Sequence, residues 1–144
     1  MNIKIHNQTK IKINFLKKKL FKVFNYIKDS KKMHIIFIKN NKMKKMNYYY
    51  RKKKYSTDIL TFINEIKDDS LGDIFISLVK ASQQAKKYNN SLIKEVCFLT
   101  LHGYLHLKGY TDNTEDNLKK MVKVQKQVLN RFFVNKNKEV KYIV

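Results

Sequence analysis

Residues 102 to 112 read HGYLHLKGYTD and hold two of the chain's four histidines and two of its three glycines. His102 and His106 stand four apart in an apolar run, so on a helix both rings leave the same face, one turn apart. Two imidazoles so placed can share one zinc ion at ~2.0–2.1 Å each. Gly109 suits the position just past a helix end, and Asp112 beyond the break can fold back as a third donor. Three protein ligands with one position left for solvent is the pattern of catalytic zinc, whereas four closed ligands mark structural zinc. The plainer reading is that a His pair at this spacing packs or hydrogen-bonds, and that a glycine ends any helix. One chemistry is disfavoured. In H-E-x-x-H peptidases the Glu after the first His is the general base, and here Gly103 takes that place with no side chain.

The elements that must position these residues follow from hydropathy. NIKIH alternates as a strand does, and MHIIFIK (Met33–Lys39) has the composition of a buried strand, with His34 read as a satisfied strand residue rather than a ligand. In INFLKKKLFKVFNYIKD the apolar residues Phe15, Leu16, Leu20, Val23, Phe24 and Ile27 fall at helical spacing among lysines. Such a helix either docks on a sheet or lies on a membrane surface, and docking is the expectation here. NKMKKMNYYY reads as a short helix running into a loop; Tyr48, Tyr49 and Tyr50 can stack on bases, with packing expected for at least two of them. TDILTF and LGDIFIS are short strand-like segments, and a helix should follow from about Leu78 to Tyr88. Ser91 is a plausible N-cap for LIKEVCFLTLHGYLHLK, an apolar helix buried on most sides, in which Cys97 is a small core residue. TEDNLKKMVKVQKQVLNRFF makes a last helix whose opening acids complement its dipole. The expected fold class is α+β: a small mixed sheet of about four strands with about five helices, the histidine helix inside.

At 144 residues with 43% hydrophobic content, the chain reads as one domain, 1–144, able to bury a proper core. A single cysteine, no apolar run of ~20 residues and no hydrophobic leader point to a soluble cytoplasmic protein without membrane attachment. Net charge is +21, and residues 1–55 carry 18 Lys/Arg against one acid, Asp29. That imbalance suits a polyanion such as RNA, since phosphate neutralisation releases counterions. Codon drift explains it equally: only Arg51 and Arg131 are arginine, Lys, Asn and Ile abound, and Pro and Trp are absent.

HGYLHLKGYTD resembles the H-G-x-L-H-L-x-G-Y-D-H signature of the YbeY family, bacterial metal-dependent endoribonucleases of ribosomal RNA maturation. STDILTF (Ser56–Phe62) is similar to the family's T-D-V-L-S-F, LGDIFIS (Leu71–Ser77) to L-G-D-I-x-I-S, and NYYYR (Asn47–Arg51) to N-x-x-x-R. Met121 keeps the family's offset of nine residues after the third ligand position. Two departures stand out: Thr111 replaces the family's aspartate, and Asp112 replaces its third histidine. A carboxylate also ligates zinc at ~2.0–2.2 Å, but it lowers the charge of the centre from about +2 to about +1 and so weakens the ion's polarising effect. Thr61 and Ile63 stand where the family commonly has serine and proline.

The resemblance implies a zinc-dependent, single-strand-type endoribonuclease acting on ribosomal RNA at the 3′ end of 16S. Its one catalytic zinc would be held by His102, His106 and Asp112. Arg51 would clamp a phosphate, unless it forms an ion pair with Asp58 or Asp73. Lys52, Lys53 and Lys54 would support the RNA backbone, and Asp58 and Asp73 would orient ligands or cap turns. The ribosomal small subunit is the implied partner. The alternative is a metal-free, ribosome-associated RNA-binding factor; a hydrolase of peptides or small molecules fits the basic half poorly.

Overall fold

The computed structural model describes residues 1–66 and 68–133. Nine elements follow in order: β1 (Asn2–Asn7), α1 (Asn14–Tyr26), β2 (Lys32–Ile38), α2 (Asn40–Arg51), β3 (Ile59–Ile63), β4 (Ser70–Ser77), α3 (Leu78–Lys87), α4 (Leu92–Leu107) and α5 (Glu115–Phe132). The sheet runs β1-β2-β4-β3; β1 and β4 pair parallel to β2, and β3 pairs antiparallel to β4. The architecture is therefore α+β with a four-stranded mixed sheet and five helices, as the strand and helix patterns predict. Among the described residues no helix is long and apolar enough to cross a membrane.

Gly72 lies within β4, opposite Ile63 of β3. Its φ is +141°, and a Cβ there would collide with the carbonyl oxygen of Phe62, so only glycine fits. Helix α1 buries Leu16, Leu20, Val23 and Phe24, which settles its amphipathic face as a docked one. Phe15, expected on that face, is exposed, and Ile27 lies just past the helix end. Helix α2 departs further from expectation. It continues through all three tyrosines to Arg51 and leaves Tyr48, Tyr49 and Tyr50 54%, 70% and 57% exposed, while Tyr50 still packs edge-on against Phe62 and Tyr49 at centroid distances of 4.9 and 4.8 Å.

Helix α4 is the centre of the fold, in contact with α1, α3, α5, β3 and β4. Ser91 caps it as predicted, its hydroxyl accepting from the Lys94 N–H. Residues 95–105 are all buried, with Leu107. Gly103 lets the helix press against the sheet: a Cβ there would stand 2.8 Å from Ile74 Cδ1, 3.1 Å from Thr61 Cγ2 and 3.2 Å from Ile59 Cδ1. Cys97 is buried, and burial pushes its thiol up to about 12, so it is inert packing as predicted.

A polar lock holds the C-terminal half of α4 against the α1–β2 loop. The carboxylate of Asp29 accepts from the Tyr104 hydroxyl at 2.7 Å and pairs with Lys108 at 3.1 Å. Burial acts to raise the pKa of Asp29, but hydrogen bonds from the Lys31 N–H, Tyr104 and Lys108 outweigh it and hold it below the usual carboxylate value. The lone acid of the basic half is thus a structural tie, and it flanks the turn that carries the histidines.

Candidate metal centre and its cavity

Helix α4 ends in a Schellman motif. The Tyr110 N–H donates to the Leu105 carbonyl at 2.9 Å and the Gly109 N–H to the His106 carbonyl at 3.0 Å, with Gly109 at φ +99°. Gly109 therefore sits at the predicted position past the helix end. The reversal turns the Tyr110 carbonyl towards His106, whose Nδ1 lies 3.1 Å from it. A carbonyl only accepts, so Nδ1 carries the hydrogen and Nε2 keeps its lone pair facing the cavity.

The same turn returns Asp112 to the histidines. His102 Nε2 and His106 Nε2 are 2.9 Å apart, and Asp112 Oδ2 lies 3.7 Å from the first and 3.5 Å from the second. Among the described residues this is the one group of three donor side chains able to hold a metal ion. The donors fit one well: the point equidistant from atoms separated by 2.9, 3.7 and 3.5 Å lies about 2.0 Å from each, the distance zinc takes to imidazole nitrogen and carboxylate oxygen. His102 is buried and is pushed down to about 4, by burial first and by His106 beside it, with Asp112 opposing. It is accordingly neutral near pH 7, as a ligand must be. Its Nδ1 is buried without a protein partner. With Nε2 given to an ion, that nitrogen carries a hydrogen nothing accepts, an unfavourable feature of this centre.

The three donors line a cavity of about 910 Å³ together with Arg51, Asp58 and residues of β3. Arg51 arrives there from the last turn of α2. Asn47, one turn earlier and buried, donates from Nδ2 to the Tyr55 carbonyl at 2.7 Å and so fixes the chain leaving the helix. That explains why the N-x-x-x-R spacing matters: one residue anchors the loop, and the other reaches the cavity from the same face. Among the described residues Arg51 forms no ion pair, so the expected alternative with Asp58 or Asp73 is not what the structure shows.

Asp58 lines the cavity; burial raises its pKa against the opposing effects of its own and Ile59's backbone N–H, the Thr57 hydroxyl and Lys80. Asp73 does not reach the centre. It lines a separate cleft of about 320 Å³ with Lys32 and His34. Lys52, Lys53 and Lys54 are exposed and follow Arg51 outside the cavity, and Lys54 borders a groove on α2. His34 is hydrogen-bonded to His6 at 3.0 Å, which makes it the satisfied strand residue expected.

Two buried features escape sequence reasoning. Gly103 was legible only as a missing catalytic glutamate, whereas its place against Ile74 and Thr61 needs the fold. Glu95 sits one side of α4, 6% exposed, and is pushed up to about 7 by burial and then by the nearby charge of Asp58. A Glu inside an otherwise apolar helix segment was the available signal.

Known proteins resemble this chain along nearly its whole length. The family model described as Endoribonuclease YbeY matches residues 2–133. A protein of Phytoplasma mali named Endoribonuclease YbeY is 56% identical over 136 residues, covering 94% of this chain and 92% of that one. One of the same name from Acholeplasma laidlawii is 42% identical, covering 91% of this chain and 96% of its own. A Thermotoga maritima protein whose structure was determined in solution superposes with a TM-score of 0.61 at 25% identity, covering 94% of this chain and 99% of that one.

Proposed function

The chain belongs to the YbeY family, and from that premise we propose that it is a metal-dependent endoribonuclease, a hydrolase of RNA phosphodiester bonds. Residues 1–144 act as one domain, with His102, His106 and Asp112 holding one zinc ion. The observation that carries this reading is the triangle of two Nε2 atoms and one carboxylate oxygen, open on a cavity that also receives Arg51. When bound, the cation supplies Lewis-acid polarisation of a phosphoryl oxygen or of water.

The chain's own residues do the rest. The Arg51 guanidinium offers paired donors in a planar fork and holds two oxygens of the scissile phosphate. The Tyr110 carbonyl keeps the His106 hydrogen on Nδ1, which leaves Nε2 as the ligand atom. Lys52, Lys53 and Lys54 grip the backbone beyond the cavity by displacing counterions. The concave site admits a single strand or a free end more readily than a duplex phosphate. On this reading the substrate is ribosomal RNA, at the 3′ end of 16S, in the cytoplasm, with the small ribosomal subunit as partner; membership of the family supports it.

A second reading has specific support. The 2.9 Å contact between the two imidazoles closes the pair as an N–H···N hydrogen bond without any ion, and Asp112 stands where the family has histidine. On that reading the protein is a metal-free, ribosome-associated RNA-binding factor. His106→Ala separates the two. The endoribonuclease loses RNA processing while fold and RNA affinity persist; unchanged processing establishes the binding factor.

A further inference from the structure

The residues upstream of Arg51 on α2 make a second surface of unusual chemistry. Between Lys39 and Thr57 the chain carries eight basic residues and no acid. Asn41, Lys44, Lys45 and Tyr48 recur at helical spacings of three and four and share one stripe of α2, with Arg51 one turn beyond Tyr48 at the cavity end. With Lys54, the first four line an open groove of about 690 Å³. The Tyr48 ring is 54% exposed. Among the described residues, Lys44, Lys45 and Lys54 form no ion pair. A helix stripe of ten residues is about 15 Å long, room for roughly three nucleotides of an extended strand.

A protein core has no use for an exposed aromatic ring flanked by three unpaired cations, but a single-stranded polyanion with flat bases does. The ring stacks on a base of any identity, the ammonium groups neutralise the phosphates on either side, and the Asn41 amide can meet a base edge. A duplex hides its base faces and cannot use the ring.

We propose that Asn41, Lys44, Lys45, Tyr48 and Lys54 form a nucleotide subsite on α2 that binds the single-stranded RNA extending from the phosphate at Arg51. This rests on the endoribonuclease reading and adds the path of the strand outside the cavity. Tyr48 is the stacking platform, and Lys44 and Lys45 are its phosphate contacts.

The test measures binding of a fluorescent single-stranded RNA of about ten nucleotides to the full chain, alongside a duplex of the same sequence. Tyr48→Ala should weaken single-strand binding about 5- to 100-fold and leave duplex binding unchanged, while Tyr48→Phe, which keeps the ring, should stay within about twofold. The double substitution Lys44→Gln with Lys45→Gln should reduce the salt dependence by about 0.7 per lost phosphate contact. Circular dichroism checks that each variant folds. Wild-type affinity with Tyr48→Ala overturns the subsite but leaves the nuclease reading intact, because cleavage in the cavity does not need it, and so does equal weakening of duplex binding. A wild-type protein that neither binds nor cleaves single-stranded RNA overturns both.

Discussion

Two pairs of touching histidines sit in opposite surroundings. His6 and His34 meet across neighbouring strands at 3.0 Å, their rings stacked with centroids 5.3 Å apart and planes 19° from parallel. His102 and His106 meet on one helix at 2.9 Å, with rings nearly perpendicular at 84°. The contact distances are almost the same. What differs is everything around them. Among the described residues the strand pair is exposed and gains no third donor within reach, whereas the helix pair is partly buried, joined by the exposed Asp112 and faced by Arg51 across a cavity. Proximity of imidazoles therefore does not make a site; a third donor delivered by a turn, and a cavity beside it, do.

The largest expected effect breaks the comparison directly. His102→Ala should abolish stoichiometric zinc binding and lower RNA cleavage by more than about 100-fold, beyond the 10–100-fold typical for groups that only support a ligand. Zinc titration with a cleavage assay checks both. Equal loss from His34→Ala would show that the two pairs are not distinct.

A second prediction concerns the helix that holds the functional pair. Glu95 is held near 7 in the fold but titrates at 4.5 when free. Between those values the unfolded chain has released a proton that the folded chain retains. Stability therefore falls as pH rises through this window, by up to about 3 kcal/mol from this group. Glu95→Gln should flatten the slope and be more stable than the parent above pH 7. Denaturant titrations at several pH values measure it, and parallel pH profiles for the two proteins would contradict it.

Next comes Gly103. Alanine there gains up to about 1 kcal/mol in helix propensity but pushes on three side-chain tips, so Gly103→Ala should cost about 1–2 kcal/mol net, seen as a lower Tm and a displaced helix α4. The smallest effect belongs to the strand pair. His34→Ala should change stability by about 0.5 kcal/mol or less and leave zinc binding alone, which sharpens the contrast.

Much of this was legible in the sequence, for identifiable reasons. The i, i+4 histidines, the glycine past the helix end and the acid beyond it are local features, and local hydrogen bonding in the Schellman turn realises them. Strands and caps obeyed their patterns for the same reason. What failed was long-range. The exposure of Tyr48, Tyr49 and Tyr50 depends on which face of α2 the sheet covers, and Met43 and Asn47 take that face instead. Asp73 lies in a well-matched segment yet faces a different cleft, because strand register places it beside His34. The pairing of His6 with His34 required knowing that β1 and β2 are neighbours.

The most direct measurement is metal content of the purified protein beside Asp112→Ala and Asp112→His. A stoichiometric ion in the parent, lost in the alanine variant and kept in the histidine variant, is the predicted result. Equal occupancy in the parent and in Asp112→Ala would remove the carboxylate from the centre and contradict the account.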